Sequence, residues 1–441
     1  MASAGSLSKG LWSATLLILP VDNFTVYRKM VRTILRTSKK RSMNIRPRLY
    51  DHILREHLSQ HRQMAFVSGP RQVGKTTTCR AIGTNYLDWD SADDRRLILR
   101  GPNAVAEHVR LEQLHERTPV VVFDELDKNR KWKNFLKGFF DVYGPRARVI
   151  VTGSSRLDIT RRGSDSLMGR YFLFRMHPWS VGECARPVPP ESLLHSPESI
   201  SDADWSALIE HGGFPEPFLK RNLRFTRRWR SLRQDQLTKE DLRDVAHVQD
   251  LGAMETLALV LAERSSGQLI YSNLSREIGV AVDTARRWVD LLVRLHYGFL
   301  VRPWFTNVAK SLRKEPKWFL RDWSGIQDAG ARAETLIACH LLKAVEGWTD
   351  LGLGQFELRY LRDKLKREVD FLVVRDRKPW FLVEVKSSDG KLSDALGYFQ
   401  AQTKAQHAFQ VVLERPFIKA DCFKRTDPVV VPARTLLSQL P

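Results

Sequence analysis

Residues 66–77, Phe-Val-Ser-Gly-Pro-Arg-Gln-Val-Gly-Lys-Thr-Thr, constrain this chain more than any other stretch. Gly69 and Gly74 enclose four residues and are followed by Lys75 and Thr76, the spacing of a phosphate-binding loop. An apolar run ends at Val67 and a helix-compatible run starts near Lys75, so the motif stands between a strand and a helix. Glycines let backbone N–H groups turn toward phosphate oxygens, and the first turn of a helix favours anions. The expected cradle is Gly69, Pro70, Arg71, Gln72, Val73, Gly74, Lys75, Thr76 and Thr77. Lys75 is expected to reach the terminal phosphates of ATP, and the Thr76 hydroxyl to hold Mg2+. A glycine-rich turn with a chance lysine is the bland alternative. The strand and helix flanks argue against it.

A second apolar run, Pro119-Val120-Val121-Val122-Phe123, ends in Asp124-Glu125. Buried parallel strands read as continuous hydrophobic segments, and open α/β sheets bind ligands at the carboxyl ends of their strands. Asp124 is expected to meet magnesium directly or through water, and Glu125 to polarise an attacking water as general base. Alone, the pair is an ordinary acidic turn; after a phosphate loop it is specific. A third strand, Arg148–Thr152, is followed by Gly153, Ser154 and Ser155. Ser154 or Ser155 either senses a terminal phosphate or caps a helix. Arg170 either reaches a phosphate, in its own subunit or a neighbour's, or is a plain surface arginine. Strands near 64–68, 86–90, 119–123, 148–152 and 171–175, with helical stretches between, argue for a parallel sheet covered on both faces.

A chain of 441 residues is long enough for two or three domains without disulfide staples. Its net charge of +21 favours polyanions such as DNA or RNA, or an anionic surface, or serves solubility alone. The four cysteines, Cys79, Cys184, Cys339 and Cys422, have no metal-ligand spacing, which suits a reducing cytoplasm. The apolar run Leu11–Pro20 is too short to span a bilayer, so no membrane partner is expected. Residues 1–45 read as a basic arm, disordered or upstream of the true start, with Met43 opening the segment that leads into the first domain.

Residues 46–180 are the expected ATPase domain and 181–250 a helical lid or linker, marked by prolines from Pro187 to Pro197 and the turn Gly212-Gly213-Phe214-Pro215-Glu216. The following run, Lys220, Arg221, Arg224, Arg227, Arg228, Arg230 and Arg233, is either a nucleic-acid face or a solvated helix. Residues 251–310 are expected to form a winged helix. Gln268–Tyr271 would be a strand, Ser272 and Asp283 the caps of two helices, and Tyr297–Trp304 the wing. Ala285, Trp288, Val289, Leu292 and Leu295 form a core face, leaving Arg286 and Arg287 for a DNA groove. A module used only for packing fits the same residues.

Residues 311–441 carry another constellation. Glu368–Val374 and Trp380–Lys386 read as strands, and alternation puts Glu384 and Lys386 on one face. Asp370 on the neighbouring strand could lie near both, with Glu334 on an upstream helix as a further acid and Gln400 steadying the lysine or a substrate. Two carboxylates and a lysine suit a magnesium-dependent phosphodiesterase. A cross-strand salt bridge has the same pattern.

From about Asn44 to Leu436 the chain resembles prokaryotic ATP-binding proteins with an AAA-type ATPase domain, a winged helix and an uncharacterised C-terminal domain. The resemblance rests on residues 69–77, Phe-Asp-Glu at 123–125, Thr-Gly-Ser-Ser at 152–155, Gly-Arg at 169–170, Gly-Gly-Phe-Pro-Glu at 212–216, Glu-Val-Asp-Phe at 368–371 and Glu-Val-Lys at 384–386. It implies ATP binding, with Lys75, Thr76, Asp124 and Glu125 in the roles given above. It also implies a PD-(D/E)XK nuclease-like C-terminal fold, whose catalytic pattern Glu334, Asp370, Glu384 and Lys386 match. Trp323-Ser324 stands where such proteins have a small glycine-containing turn. The expected fold is therefore α/β: a P-loop parallel-sheet ATPase domain, a helical lid, a winged helix and a mixed α/β nuclease-like domain. The expected function is a Mg2+-dependent ATPase that couples nucleotide state to its C-terminal half, on nucleic acid. The alternatives are an ATP-gated endonuclease and a non-hydrolysing ATP switch that scaffolds proteins. Analogy with AAA relatives adds a homo-oligomer.

Overall fold

The short apolar runs of the first half form a five-stranded sheet whose three central strands are buried on both faces and whose two edge strands are only partly covered. β1 is Met64–Ser68, β2 Asn85–Asp88, β3 Val120–Asp124, β4 Arg148–Thr152 and β5 Tyr171–Arg175. Their spatial order is β2-β3-β4-β1-β5, and every pairing is parallel. A computed structural model describes residues 46–153, 167–189, 192–237, 250–304 and 315–441. Ser154, Ser155 and the basic arm 1–45 lie outside the described residues.

Alternation splits the strand side chains between two cores. Phe66, Val121, Phe123, Val149 and Val151 face a helix at Trp132–Tyr143, whose Phe135 and Phe139 rings stand edge-on to Phe123, each 5.4 Å away. Ala65, Val67, Val122 and Ile150 face the helix α1 (Leu49–Gln60) and the helix after the loop, α2 (Lys75–Ile82). Because β4 lies between β1 and β3, its carboxyl end is wedged between the phosphate loop and Asp124.

After β5 the chain is helical. α3 (Val181–Ala185), α4 (Pro215–Lys220) and α5 (Leu223–Gln236) precede α6 (Leu251–Glu263), α7 (Tyr271–Ile278) and α8 (Val282–Arg294). The expected strand at 268–271 is instead one bridge, Gln268 to Lys317, and α7 already begins at Tyr271. α8 begins at Val282, so Asp283 is its second residue rather than its cap. An acid there still favours the positive end of the helix.

The second sheet has seven strands. They are β6 (Gly298–Pro303), β7 (Lys317–Leu320), β8 (Phe356–Arg362), β9 (Glu368–Arg375), β10 (Lys378–Lys386), β11 (His407–Val412) and β12 (Val429–Pro432). The order is β12-β11-β10-β9-β8-β6-β7, with parallel and antiparallel pairs mixed. The β6–β7 hairpin joins this sheet through a short parallel pairing of β6 with β8, so one sheet runs across the expected division at 310/311. A helix of 22 residues, α9 (Ala329–Asp350), packs on the sheet, with Trp348 between Phe356 and Trp380 at 5.0 and 5.3 Å. Residues 48–441 form one compact unit.

Candidate functional site: the phosphate loop and the acidic centre

The turn between β1 and α2 is shaped by glycine. Gly69 has φ +151°, and a Cβ there would lie 2.3 Å from the Met176 carbonyl oxygen. Gly74 has φ +104° and precedes the first turn of α2. The first backbone N–H groups of a helix lack intrahelical acceptors and point outward, which suits an anion. Lys75 is buried and its ammonium donates to the Gly69 and Pro70 carbonyls, both at 2.9 Å. Burial lowers its pKa, and Glu125 and Asp124 oppose that shift.

Asp124, buried at the end of β3, accepts three hydroxyl bonds. Thr76 donates to Oδ2 at 2.8 Å, Tyr86 donates to the same oxygen, and Thr152 donates to Oδ1. The expected pair Thr76 and Asp124 is thus in direct contact. Tyr86 and Thr152 escaped sequence reasoning. Thr152 is the last residue of β4, one of the strands flanking the loop's own, and a hydroxyl at such a strand end was the available signal.

Glu125 takes a left-handed backbone, φ +54°, and its carboxylate lies 3.5 Å from Lys128, which also grips Asp90 at 2.6 Å. Arg71, Gln72, Gly74, Lys75, Thr76 and Thr77 line one cavity of about 320 Å³ with Glu125, Pro215 and Glu216. Pro215 and Glu216 come from the 212–216 segment, read in the sequence as a turn signal and as part of the family resemblance, with no role at the nucleotide site. Arg170 is elsewhere. Its carbonyl accepts from Met64 N, at the start of β1, and its guanidinium pairs with Asp141 at 2.7 Å. The phosphate loop leaves the other end of β1, so Arg170 cannot reach a phosphate bound in its own chain; the length of the strand separates them.

In the second sheet, Glu384 and Lys386 do share a face and pair at 2.9 Å, while Asp370 Oδ2 accepts from the Val385 N–H at 2.9 Å. Glu334 reaches the same place from α9. What the sequence reading missed is Lys317, at the start of β7. Its ammonium lies 2.5 Å from Glu368, 3.3 Å from Asp370 and 3.8 Å from Glu334, with the side chain 5% exposed. Burial opposes that charge, yet Asp370, Glu368 and Glu334 hold the Lys317 pKa above its ordinary value. Burial and Asp370 push Glu334 up to about 7, and the same two causes raise Glu384. Among the described residues no three His, Cys, Asp or Glu side chains are arranged to hold a metal ion. Gln400 plays no part here; its amide donates to the Ala405 and Thr426 carbonyls.

Arg286 and Arg287 lie on the exposed side of α8, opposite buried Ala285, Val289 and Leu292. Along α5, Arg224, Arg227 and Arg228 are exposed, whereas Arg230 donates to the Ser324 carbonyl at 2.8 Å. One helix therefore has a solvated basic side and a side fixed to the C-terminal half.

Residues 61–185 match the AAA domain family model. Residues 202–329 match a domain of unknown function, DUF8612, and residues 329–420 another, DUF4143. The chain is 26% identical over 351 residues to the uncharacterized protein Rv2008c of Mycobacterium tuberculosis, covering 76% of this chain and 72% of that one. The same figures hold for Mb2031c of Mycobacterium bovis. Among solved structures, the Aeropyrum pernix ORC1 protein in complex with DNA is 12% identical, covers 63% of this chain and 86% of that chain, and superimposes with a TM-score of 0.29. Residues 61–185 are thus similar to an AAA domain, and their parallel sheet and loop have the architecture of a P-loop ATPase-like domain. No helix among the described residues is long and apolar enough to cross a membrane.

Proposed function

We propose that this protein is a magnesium-dependent ATP hydrolase whose nucleotide state acts on its C-terminal half, with nucleic acid as the partner. The supporting observation is the 2.8 Å bond between Thr76 and Asp124, beside buried Lys75. Both donors are hard oxygens, and magnesium is held by one or two such groups together with phosphate oxygens. Thr76 and Asp124 would hold it, and when bound it neutralises charge developing on the phosphates. The loop backbone and Lys75 bind and orient the triphosphate. Glu125, on the cavity wall, accepts a proton from the attacking water. Pro215 and Glu216 line another part of the same open cavity.

The nucleic-acid part of the reading rests on the net charge of +21 and on exposed Arg286 and Arg287 on the second helix of the α7–α8 pair, which with the β6–β7 hairpin reads as a winged helix. Self-association also belongs to the proposal, because Arg170 can serve a phosphate only in a neighbouring copy. The deciding experiment is ATP turnover with and without DNA, beside Lys75→Ala as a blank. Turnover absent from the unaltered protein would sink the hydrolase reading; turnover indifferent to DNA would leave a protein client instead.

A second reading, an ATP-gated endonuclease with a PD-(D/E)XK-like centre, is favoured by one observation: Glu334, Asp370, Glu384 and Lys386 all converge on the Lys317 neighbourhood. Plasmid nicking with magnesium that survives in both Asp370→Ala and Glu384→Ala would rule it out.

A further inference from the structure

Arg48 belongs to none of the motifs discussed above, yet it is 5% exposed and its guanidinium is spent entirely on buried acceptors. Nη1 donates to the Val73 carbonyl of the phosphate loop at 2.7 Å, Nη2 to the His177 carbonyl at 2.7 Å, and Nε to Glu183 at 2.7 Å. The group stacks over Trp179, 4.7 Å from the ring centroid. Glu183 is itself 1% exposed and has a second cation, Lys343 at 2.5 Å. Lys343 also donates to Ser180 Oγ at 2.9 Å and to the Pro178 carbonyl at 3.3 Å. Despite complete burial, Arg48 and Lys343 hold the Glu183 carboxyl down to about 2.

Lys343 sits on α9, far along the chain from the loop. Two further contacts tie the same face of that helix to the ATPase sheet: Asp350 accepts from the Arg175 backbone N–H at 2.8 Å, and Glu346 meets His177 at 2.7 Å. The N-terminal part of α9 carries Glu334, nine positions before Lys343 and so about 14 Å away at 1.5 Å per residue. One rigid helix therefore ends in the acidic centre and anchors the phosphate loop.

We propose that Arg48 is a positioning residue for the nucleotide site, and that Glu183 and Lys343 transmit the loop's shape to α9. A loop carbonyl gripped by a fixed guanidinium holds its neighbouring N–H groups in the cradle orientation. A loop released from that grip spends only part of its time in the binding shape, and apparent affinity falls by that fraction. Bound nucleotide restores the shape, so turnover at saturation is spared. A buried ion chain of this kind tolerates little displacement, because a separated partner would be left as an uncompensated charge. The coupling runs both ways: what moves α9 alters the loop, and what fills the loop holds α9.

The inference rests on the ATP reading above, and its test separates the two. A fluorescent ATP analogue is titrated into the unaltered full chain, Arg48→Lys, Lys343→Met and Lys343→Arg, alongside turnover, thermal melting and hydrogen exchange. Arg48→Lys keeps a charge for Glu183 but cannot span Val73 and His177. Its dissociation constant should rise about tenfold or more, with turnover at saturating ATP changed less than about twofold. In the unaltered chain, ATP should slow exchange in residues 339–350. Lys343→Met should lose that protection, and Lys343→Arg should keep it. Unchanged affinity in Arg48→Lys, or protection retained in Lys343→Met, overturns the proposal. A purely structural role would lower the melting temperature of both variants and leave affinity per folded molecule as it was, which also overturns it. Absence of analogue binding to the unaltered chain overturns the ATP reading and this inference together.

Discussion

The Lys317 ammonium stands 3.3 Å from the Asp370 carboxylate, inside a centre for which the sequence offered Lys386 as the cation. Lys317, buried against Glu334, Glu368 and Asp370, is the most buried of the cations that offset this cluster, with Lys386 on Glu384 and Arg362 on Glu368. Removing one partner of a buried ion cluster costs ~3–5 kcal/mol, because the charges left behind cannot be hydrated. Lys317→Met should therefore unfold at markedly lower urea. Equal midpoints for the variant and the unaltered protein would mean that Lys317 neutralises nothing.

Glu125→Gln keeps the shape of the side chain and removes its basicity. A positioned general base contributes about 10²- to 10⁴-fold, so phosphate release should fall by that range while ATP still binds. Turnover within about threefold of the unaltered protein would reassign the base.

Gly69→Ala forces a Cβ toward the Met176 carbonyl oxygen at 2.3 Å in a backbone region that only glycine occupies readily. The combined clash and strain should cost ~2 kcal/mol or more. Urea denaturation reads the loss, and binding of an ATP analogue should weaken with it.

Stability should fall as pH rises from about 5 to 8 through the titration of Glu334. Its folded pKa, about 7, lies above the ordinary carboxylate value because of burial and Asp370. A raised carboxyl binds its proton more tightly in the folded state, so that stabilisation is present below the ordinary pKa and is lost as pH passes the folded one. Glu334→Gln should flatten the slope of stability against pH by ~1–3 kcal/mol across that window. An unaltered slope in the variant contradicts the assignment.

DNA affinity, if carried by α8, should weaken in Arg286→Ala with Arg287→Ala, and the slope of log affinity against log salt should shrink by about two. Fluorescence anisotropy at several salt concentrations measures both. An unchanged slope clears α8 of phosphate contact.

Legibility differed between the two centres for a physical reason. In the first, the chemistry is local in the chain: both glycines, the lysine and the threonine fall within residues 69–76, directly after an apolar strand. Asp124 was legible because an acid that ends a buried strand is conspicuous. Tyr86 and Thr152 were not, since a lone tyrosine or threonine in a strand has many uses and only sheet order says which strand ends meet. Of the places offered for Arg170, parallel pairing of β5 with β1 removes the phosphate of its own chain, because it puts Arg170 at the opposite end of the sheet. The second centre was half legible. Alternation placed Glu384 with Lys386, but Lys317 lies on a strand of the neighbouring hairpin and carried no local mark.

Sequence alone determined the phosphate loop, the strand that delivers Asp124 and Glu125, and the alternation that sets Glu384 beside Lys386. Each of these depends on side chains within a few residues of one another, where backbone period decides who is neighbour to whom. Tertiary structure alone decided the Tyr86 and Thr152 hydroxyls on Asp124, the grip of Arg48 on Val73, and the burial of Lys317 among acids. Those contacts join residues tens to hundreds of positions apart, and only strand order and helix packing bring them within bonding distance.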